Sequence, residues 1–344
     1  MKYLMPAEWE PHEGTWLAWP HNREHWPGKF EPTPLTYVEI IRAVAESEKV
    51  FVTVNGPDME AEARSYLQKG DVSSELLKNI FFYHIPTDAS WARDHGPIFV
   101  RDENGKLLIT DWIFNAWGDK YRPYDQDDVV PQKIGAILGF DVVQPGMVLE
   151  GGSIEVNGQG LLLTTEQCLL NQNRNPSMNR EEIEAHLGRY LGIKKVLWLK
   201  EGIVGDDTDG HIDDIARFVN PTTVVCAVES DPQDENYPIL QECLEDLKKM
   251  TDQDGKPLNV VAVPMPEPVV HAGERLPASY VNFLITNKSV LVPTFRSSRD
   301  QEALAVLARC FPDRKIVGID CWDLVWGLGT IHCSTQQQPV RSFD

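Results

Sequence analysis

A chain of 344 residues with 42% hydrophobic and 24% charged side chains has material for a large buried core, so disorder and low complexity explain no long segment of it. The formal net charge of -20 argues against unaided binding to nucleic acid or an anionic membrane, which need a basic face, and favours cationic partners. No run approaches the roughly 18 apolar residues of a membrane span, and the first residues lack a signal peptide's apolar core; a cytoplasmic protein is expected.

The six cysteines form no Cys-x-x-Cys pair and are too sparse for a disulfide scaffold. Cys226, Cys243 and Cys310 fall in apolar patterns and read as core packing.

In chain order, apolar runs bounded by turn residues predict a repeated plan. A strand at Thr15–Trp19, a helix opened by Thr33 and Pro34 and running to about Glu46, and a strand at Val50–Val54 come first. In Ile98–Val143, strands at Ile98–Arg101 and Leu107–Asp111 flank Asn104-Gly105, with a helix near Val129–Leu138. In Ser153–Leu199, strands at Ile154–Val156 and Leu161–Thr164 flank Asn157-Gly158, with a helix near Arg180–Leu191. Strands at Ile215–Val219 and Val224–Val228 precede a helix near Glu235–Met250 and a strand at Asn259–Val263. Strands at Tyr280–Thr286 and Val290–Val292 precede a helix near Arg299–Arg309 and a strand at Lys315–Ile319. Four copies of strand, strand, helix, strand are thus expected, and a fifth if the C-terminal end completes the N-terminal elements. The class is α/β, in one catalytic domain over 1–344.

Residues suited to chemistry recur at matching places. Asp94, Glu150, and His211 with Asp213 each precede the first strand of a copy, and Cys333 precedes the last strand-like stretch. Equivalent positions in modules related by pseudo-rotation point to a common centre. Cys333 follows Trp326-Gly327-Leu328-Gly329, whose glycines let backbone approach a ligand, and the polar Thr335-Gln336-Gln337-Gln338 after it is unlike a core strand. A reactive thiol needs such access. His332 is a poor partner for it, since neighbours on an extended chain face opposite sides, which leaves His211 as the better base. His211 and Asp213, two apart, would project to one side of an extended segment. Asp206, Asp207 and Asp214 read as surface acids, although Asp206, Asp207 and Asp209 could also supply ligands for a metal at His211-Ile212-Asp213. Trp91-Ala92-Arg93-Asp94-His95-Gly96-Pro97 reads as a structured loop aiming Asp94 inward. Glu150 before Gly151-Gly152 would be buried and need a partner, for which His211 is the natural choice. Of the tryptophans, Trp16, Trp19 or Trp91 could wall a cation.

Together Pro6–His12, Trp91–Pro97, Leu149–Ser153, Gly210–Asp214 and Ile331–Pro339 resemble the agmatine deiminase and bacterial-type peptidylarginine deiminase family, of the guanidine-modifying pentein superfamily. The resemblance covers nearly the whole chain and implies a five-fold pseudosymmetric α/β propeller of strand-strand-helix-strand modules around a central site. It implies Cys333 as nucleophile, His211 as general acid and base, Glu150 as the carboxylate supporting that histidine, and Asp94 and Asp213 as guanidinium ligands. Thr330 and Ser334 stand where the family varies. The implied partner is a small cationic guanidino substrate, agmatine foremost and free or peptidyl arginine next, with no metal or organic cofactor. Assembly of identical copies is left open. Two further readings are a metal-dependent hydrolase built on His211 and Asp213, and a polyamine-binding protein without catalysis.

Overall fold

The computed structural model describes residues 2–341. Five of its six sheets share one plan, in which an antiparallel pair is extended by a parallel strand. The pairs are Ile98–Asp102 with Leu107–Thr110, Glu155–Val156 with Leu161–Thr165, Ala216–Asn220 with Thr223–Val228, Leu284–Ile285 with Ser289–Thr294, and His12–Ala18 with Thr335–Pro339. The parallel partners are, in the same order, Val142–Val143, Lys195–Leu199, Asn259–Pro264, Lys315–Asp320 and Lys49–Val54.

A parallel neighbour needs a crossover rather than a hairpin, and a helix supplies it in every copy. These helices are Val130–Leu138, Arg180–Leu191, Asn236–Lys249, Asp300–Cys310 and Thr33–Ala45. Local chemistry sets their ends. The Asn179 side chain and Glu182 form a capping box that starts Arg180–Leu191, and Gly192 at φ 74° stops it. Ile183, Leu187 and Leu191, four apart, give that helix its buried stripe. In the hairpin between Val156 and Leu161, Asn157 Oδ1 accepts from Gln159 and Leu161 backbone N–H, and Gly158 takes φ 71°.

The fifth copy closes as expected, with the C-terminal strand beside the N-terminal one. Three differences from the sequence-based expectation matter. Tyr280–Thr286 forms only the two-residue strand Leu284–Ile285, because Ser279 and Asn282 turn to side-chain hydrogen bonding instead. Ile80–His84 adds an unanticipated parallel strand beside Lys49–Val54. The Thr335–Pro339 strand is buried throughout despite its polar sequence. Its amides are satisfied, since Gln336 and Gln337 Oε1 accept from Arg93 Nη1 at 2.6 and 2.7 Å and Gln338 Oε1 accepts from Trp16 Nε1 at 2.9 Å.

Cys226 and Cys243 pack in the core, whereas Cys310 is half-buried. No helix among the described residues is long and apolar enough to cross a membrane.

Candidate active site

Arg93 is the fastening between two functional segments. Its guanidinium is buried and bonds Gln336, Gln337 and the His332 carbonyl, while its backbone N–H donates to the Cys333 carbonyl at 3.1 Å. The short helical turn Ala92–His95, where a loop was expected, is thereby locked to the segment that carries Cys333. Asp94 on that turn accepts from Trp117 Nε1 through Oδ2 and from the Gly152 backbone N–H through Oδ1, both at 3.0 Å.

Gly152 marks where the predicted residues meet. A methyl group on it would lie 2.6 Å from His211 Nδ1, 2.8 Å from Asp94 Oδ1 and 3.1 Å from Asp213 Oδ2, so no larger residue fits between them. His211 and Asp213 do face one side, but across the tight helical turn Ile212–Asp214 rather than along a strand. Cys333 Sγ lies 4.0 Å from Asp213 Oδ2, and His211 Nδ1 lies 3.7 Å from Asp94 Oδ1. Residues from distant copies therefore converge on a single point.

Glu150 departs from its expected pairing. Its Oε1 receives Arg174 Nε at 2.6 Å, and its Oε2 has no hydrogen-bond partner among the described residues. Single ligand atoms of Glu150, His211 and Cys168 lie within 4.8 Å of one another, which keeps Glu150 beside the imidazole without a bond to it. His211 Nε2 is also unpartnered.

Asp206 and Asp214, read as surface charges, and Asp209, read as a possible metal ligand, are tied into the structure. Asp206 accepts from Thr208 and from the His211 backbone N–H, Asp209 binds Lys120, Asn173 and Arg174, and Asp214 is buried within 4.8 Å of Asp213 and Cys333. Asp206 and Asp209 thus have their oxygens committed and do not converge with His211 and Asp213 on a metal. Among the described residues, two groupings could accept an ion: Glu150, Cys168 and His211, and Asp213, Asp214 and Cys333.

A cavity of about 350 Å³ opens onto the cluster. Asp94 and Cys333 form its buried end, Trp91, Trp117 and Trp326 wall it, and Glu24, Asp207 and Glu274 stand nearer solvent. Trp91 lines the cavity as expected, whereas Trp16 and Trp19 are packed in the core away from it. Sequence reasoning missed Trp117, Asn282 and His332. Asn282 Nδ2 donates to Cys333 Sγ at 3.2 Å, and His332 Nδ1 sits 2.7 Å from Asp213 Oδ2. Only the adjacency of His332 to the cysteine could have signalled a role for it.

Electrostatically, burial and the acids dominate at the thiol and outweigh the nearby arginines at its carboxylates. Burial, then the charges of Asp213, Asp214 and Asp94, pushes the Cys333 thiol well above its ordinary value. Burial and Glu150 raise Asp94 to about 7, and burial and Asp94 raise Asp213. Burial and Arg174 hold His211 well below the usual imidazole range. A bound positive charge would relieve the strained carboxylates and favour thiolate.

The fold and this site define a receptor for a small organic cation beside a thiol. Comparison with known proteins narrows it. Residues 4–339 match the model of the Porphyromonas-type peptidyl-arginine deiminase family. The chain is 41% identical to an agmatine deiminase of Ectopseudomonas mendocina, over 98% of this chain and 96% of that protein. An agmatine deiminase structure from Enterococcus faecalis superposes with TM-score 0.92 at 37% identity, covering 99% of this chain and 97% of that one. An agmatine deiminase from C. jejuni with substrate bound gives TM-score 0.88 at 32% identity, covering 98% and 96%. An amidinotransferase from Microseira wollei, 12% identical with TM-score 0.52 over 98% and 97%, shares the fold alone. The chain belongs to the Porphyromonas-type peptidyl-arginine deiminase family.

Proposed function

We propose that this protein hydrolyses agmatine to N-carbamoylputrescine and ammonia. The observation that carries the choice of substrate is the lining of the cavity. Asp94 stands at its buried end, Asp207, Glu24 and Glu274 stand nearer its mouth, and no lysine or arginine is among the described lining residues. A substrate with a guanidinium at one end and an ammonium at the other meets acids at both ends. Free arginine would set its α-carboxylate among like charges, with no cation to receive it.

The reaction follows from the groups at the buried end. Asp94 and Asp213 take the planar guanidinium by charge-assisted hydrogen bonds, for which Asp213 Oδ1 is without a partner. The bound cation lowers the thiol's pKa, and neutral His211 takes its proton. Cys333 sulfur bonds to the guanidinium carbon. His211 returns the proton to the departing nitrogen, the C–N bond breaks, and ammonia leaves an amidino-thioester. His211, kept beside Glu150, then takes one proton from water as its oxygen bonds to the same carbon; the C–S bond breaks as the new hydroxyl passes its proton to sulfur, freeing the ureido product and the thiol, and His211 releases its proton to solvent.

The same reading takes the five like sheets as blades of one pseudosymmetric α/β propeller, in a single catalytic domain. Its support is that Asp94, Glu150, His211 with Asp213, and Cys333 each precede a strand of a different sheet, yet Asp94, His211, Asp213 and Cys333 meet around Gly152 with Glu150 beside His211. The test is incubation with agmatine, arginine and a peptidyl-arginine, with assay of ureido product. Agmatine is expected to give the highest kcat/KM, and activity confined to the other two rejects it.

A further inference from the structure

His332 has no part in the chemistry above, yet its ring is 1% exposed and sits between two acids. Nδ1 lies 2.7 Å from Asp213 Oδ2 and Nε2 lies 2.9 Å from Glu8 Oε2. An ionised carboxylate can only accept, so two hydrogen bonds joining one imidazole to two acids require two protons shared among the three groups. Either an imidazolium lies between two carboxylates, or a neutral imidazole lies between one carboxylate and one carboxylic acid.

The surroundings select the second arrangement before a cation binds. Glu8 is held as a carboxylate, because Oε2 also accepts from Arg217 Nη2 at 2.7 Å, Oε1 accepts from the Ile285 backbone N–H at 2.7 Å, and Arg93 Nη2 is 3.7 Å away. Asp213 instead is fully buried and faces Asp94, Asp214 and Asp206, which with burial outweigh the pull of Arg217 and Arg93 on it, and its Oδ1 is unpartnered. Arg217 and Arg93 oppose a charge on His332, which burial also disfavours. The proton therefore rests on Asp213 Oδ2, directed at Nδ1, while Nε2–H donates to Glu8.

A guanidinium requires Asp213 as a carboxylate, and Asp213 has no exposed surface through which to lose a proton. Resting on the deiminase reading, we propose that His332 is a positioning residue that stores this proton internally. When the guanidinium binds, the Asp213 Oδ2–H bond breaks and an Nδ1–H bond forms on His332. The imidazolium then donates to Asp213 and Glu8 together, and Asp213 Oδ1 turns to the substrate. No proton leaves the protein. The ureido product is neutral, so its formation removes the cation and returns the proton to Asp213.

The test uses the Cys333→Ala protein, which removes both turnover and the thiol proton from the balance. Nitrogen-15 NMR of the histidines at pH 8, with His332 assigned through bonds, should show a neutral Nε2–H ring in the free protein and a doubly protonated ring at saturating agmatine. Calorimetry in two buffers of different ionisation enthalpy should find no net proton exchanged, and the added His332→Gln change should cause release of roughly one proton per agmatine bound. A ring already doubly protonated without ligand, a ring unchanged on binding, or release of a full proton from the Cys333→Ala protein overturns the proposal while leaving the substrate reading standing. Absence of binding heat with agmatine and arginine alike overturns both. The NMR measurement does not depend on the His332→Gln protein folding.

Discussion

Asn282 donates its side-chain N–H to Cys333 Sγ at 3.2 Å, and the other end of the same amide is pinned. Its Oδ1 receives the Thr330 hydroxyl at 2.6 Å and the His332 backbone N–H at 3.0 Å, which fixes the NH2 toward sulfur. A donor aimed at the thiol favours thiolate against the acids around it. Asn282→Asp replaces the donor by an acceptor and adds a negative charge. It should lower kcat for agmatine by on the order of 100-fold, the cost typical of removing one preorganised donor. The rate of Cys333 alkylation as a function of pH should move to higher pH in the variant; an unmoved alkylation profile refutes this role.

Cys333→Ala should reduce turnover of agmatine by about 1,000-fold or more, as loss of a covalent nucleophile does. Incubation with a chelator should leave the native protein's rate unchanged. Chelator-sensitive turnover that survives in Cys333→Ala would move the chemistry to a metal at Glu150, Cys168 and His211.

Asp94 has a pKa raised to about 7, chiefly by burial and then by Glu150. It binds a cation only when ionised, so kcat/KM for agmatine should fall as pH drops through about 7, and Asp94→Asn should abolish that limb. The variant should lose on the order of 100-fold in kcat/KM, because a buried charge partner of the substrate is gone. Stability should move the other way. A carboxyl raised in the folded state contributes stability that is present at low pH and lost as pH rises through its folded value. The free protein should therefore melt lower at pH 8 than at pH 6, and Asp94→Asn should melt higher than the native protein at pH 8. Thermal denaturation at both pH values measures this, and a native melting point independent of pH contradicts it.

Asp207 lines the outer part of the cavity and pairs with the Tyr121 hydroxyl. If it meets the substrate's ammonium, Asp207→Asn should raise KM for agmatine by about 5-fold, the worth of a partly exposed charge pair, with kcat nearly unchanged. The native-to-variant ratio should shrink in high salt, since such pairs are screened. A salt-independent ratio, or a loss confined to kcat, places the ammonium elsewhere.

The repeated plan of the fold was legible because each copy buries a helix stripe and two or three short strands, and both leave periodic apolar marks between Asn-Gly or Asn-Pro turns. Helix Arg180–Leu191 falls where the periodicity places it, and the Asn179 cap is what starts it there. The same logic failed at Thr335–Gln338, where glutamines are buried because Arg93 and Trp16 satisfy them; polarity alone cannot report a partner more than 200 residues away. It failed also at Tyr280–Thr286, whose apolar pattern reads as a strand although Asn282 leaves the ladder to bind Thr330 and Cys333.

What the linear order of residues determined was the inventory of the site: a thiol, an imidazole and three acids, each ahead of a strand in a repeated unit, with a charge balance that favours cations. Short-range patterns record such facts because turns and strand starts are local. What only the tertiary structure decided was who faces whom. Glu150 bonds Arg174 instead of His211, His332 stands behind Asp213, Asn282 holds the sulfur, and the acids near the mouth of the cavity come from separate segments of the chain. Those pairings follow from burial, where every charge and polar atom must find a partner wherever the folded chain happens to bring one.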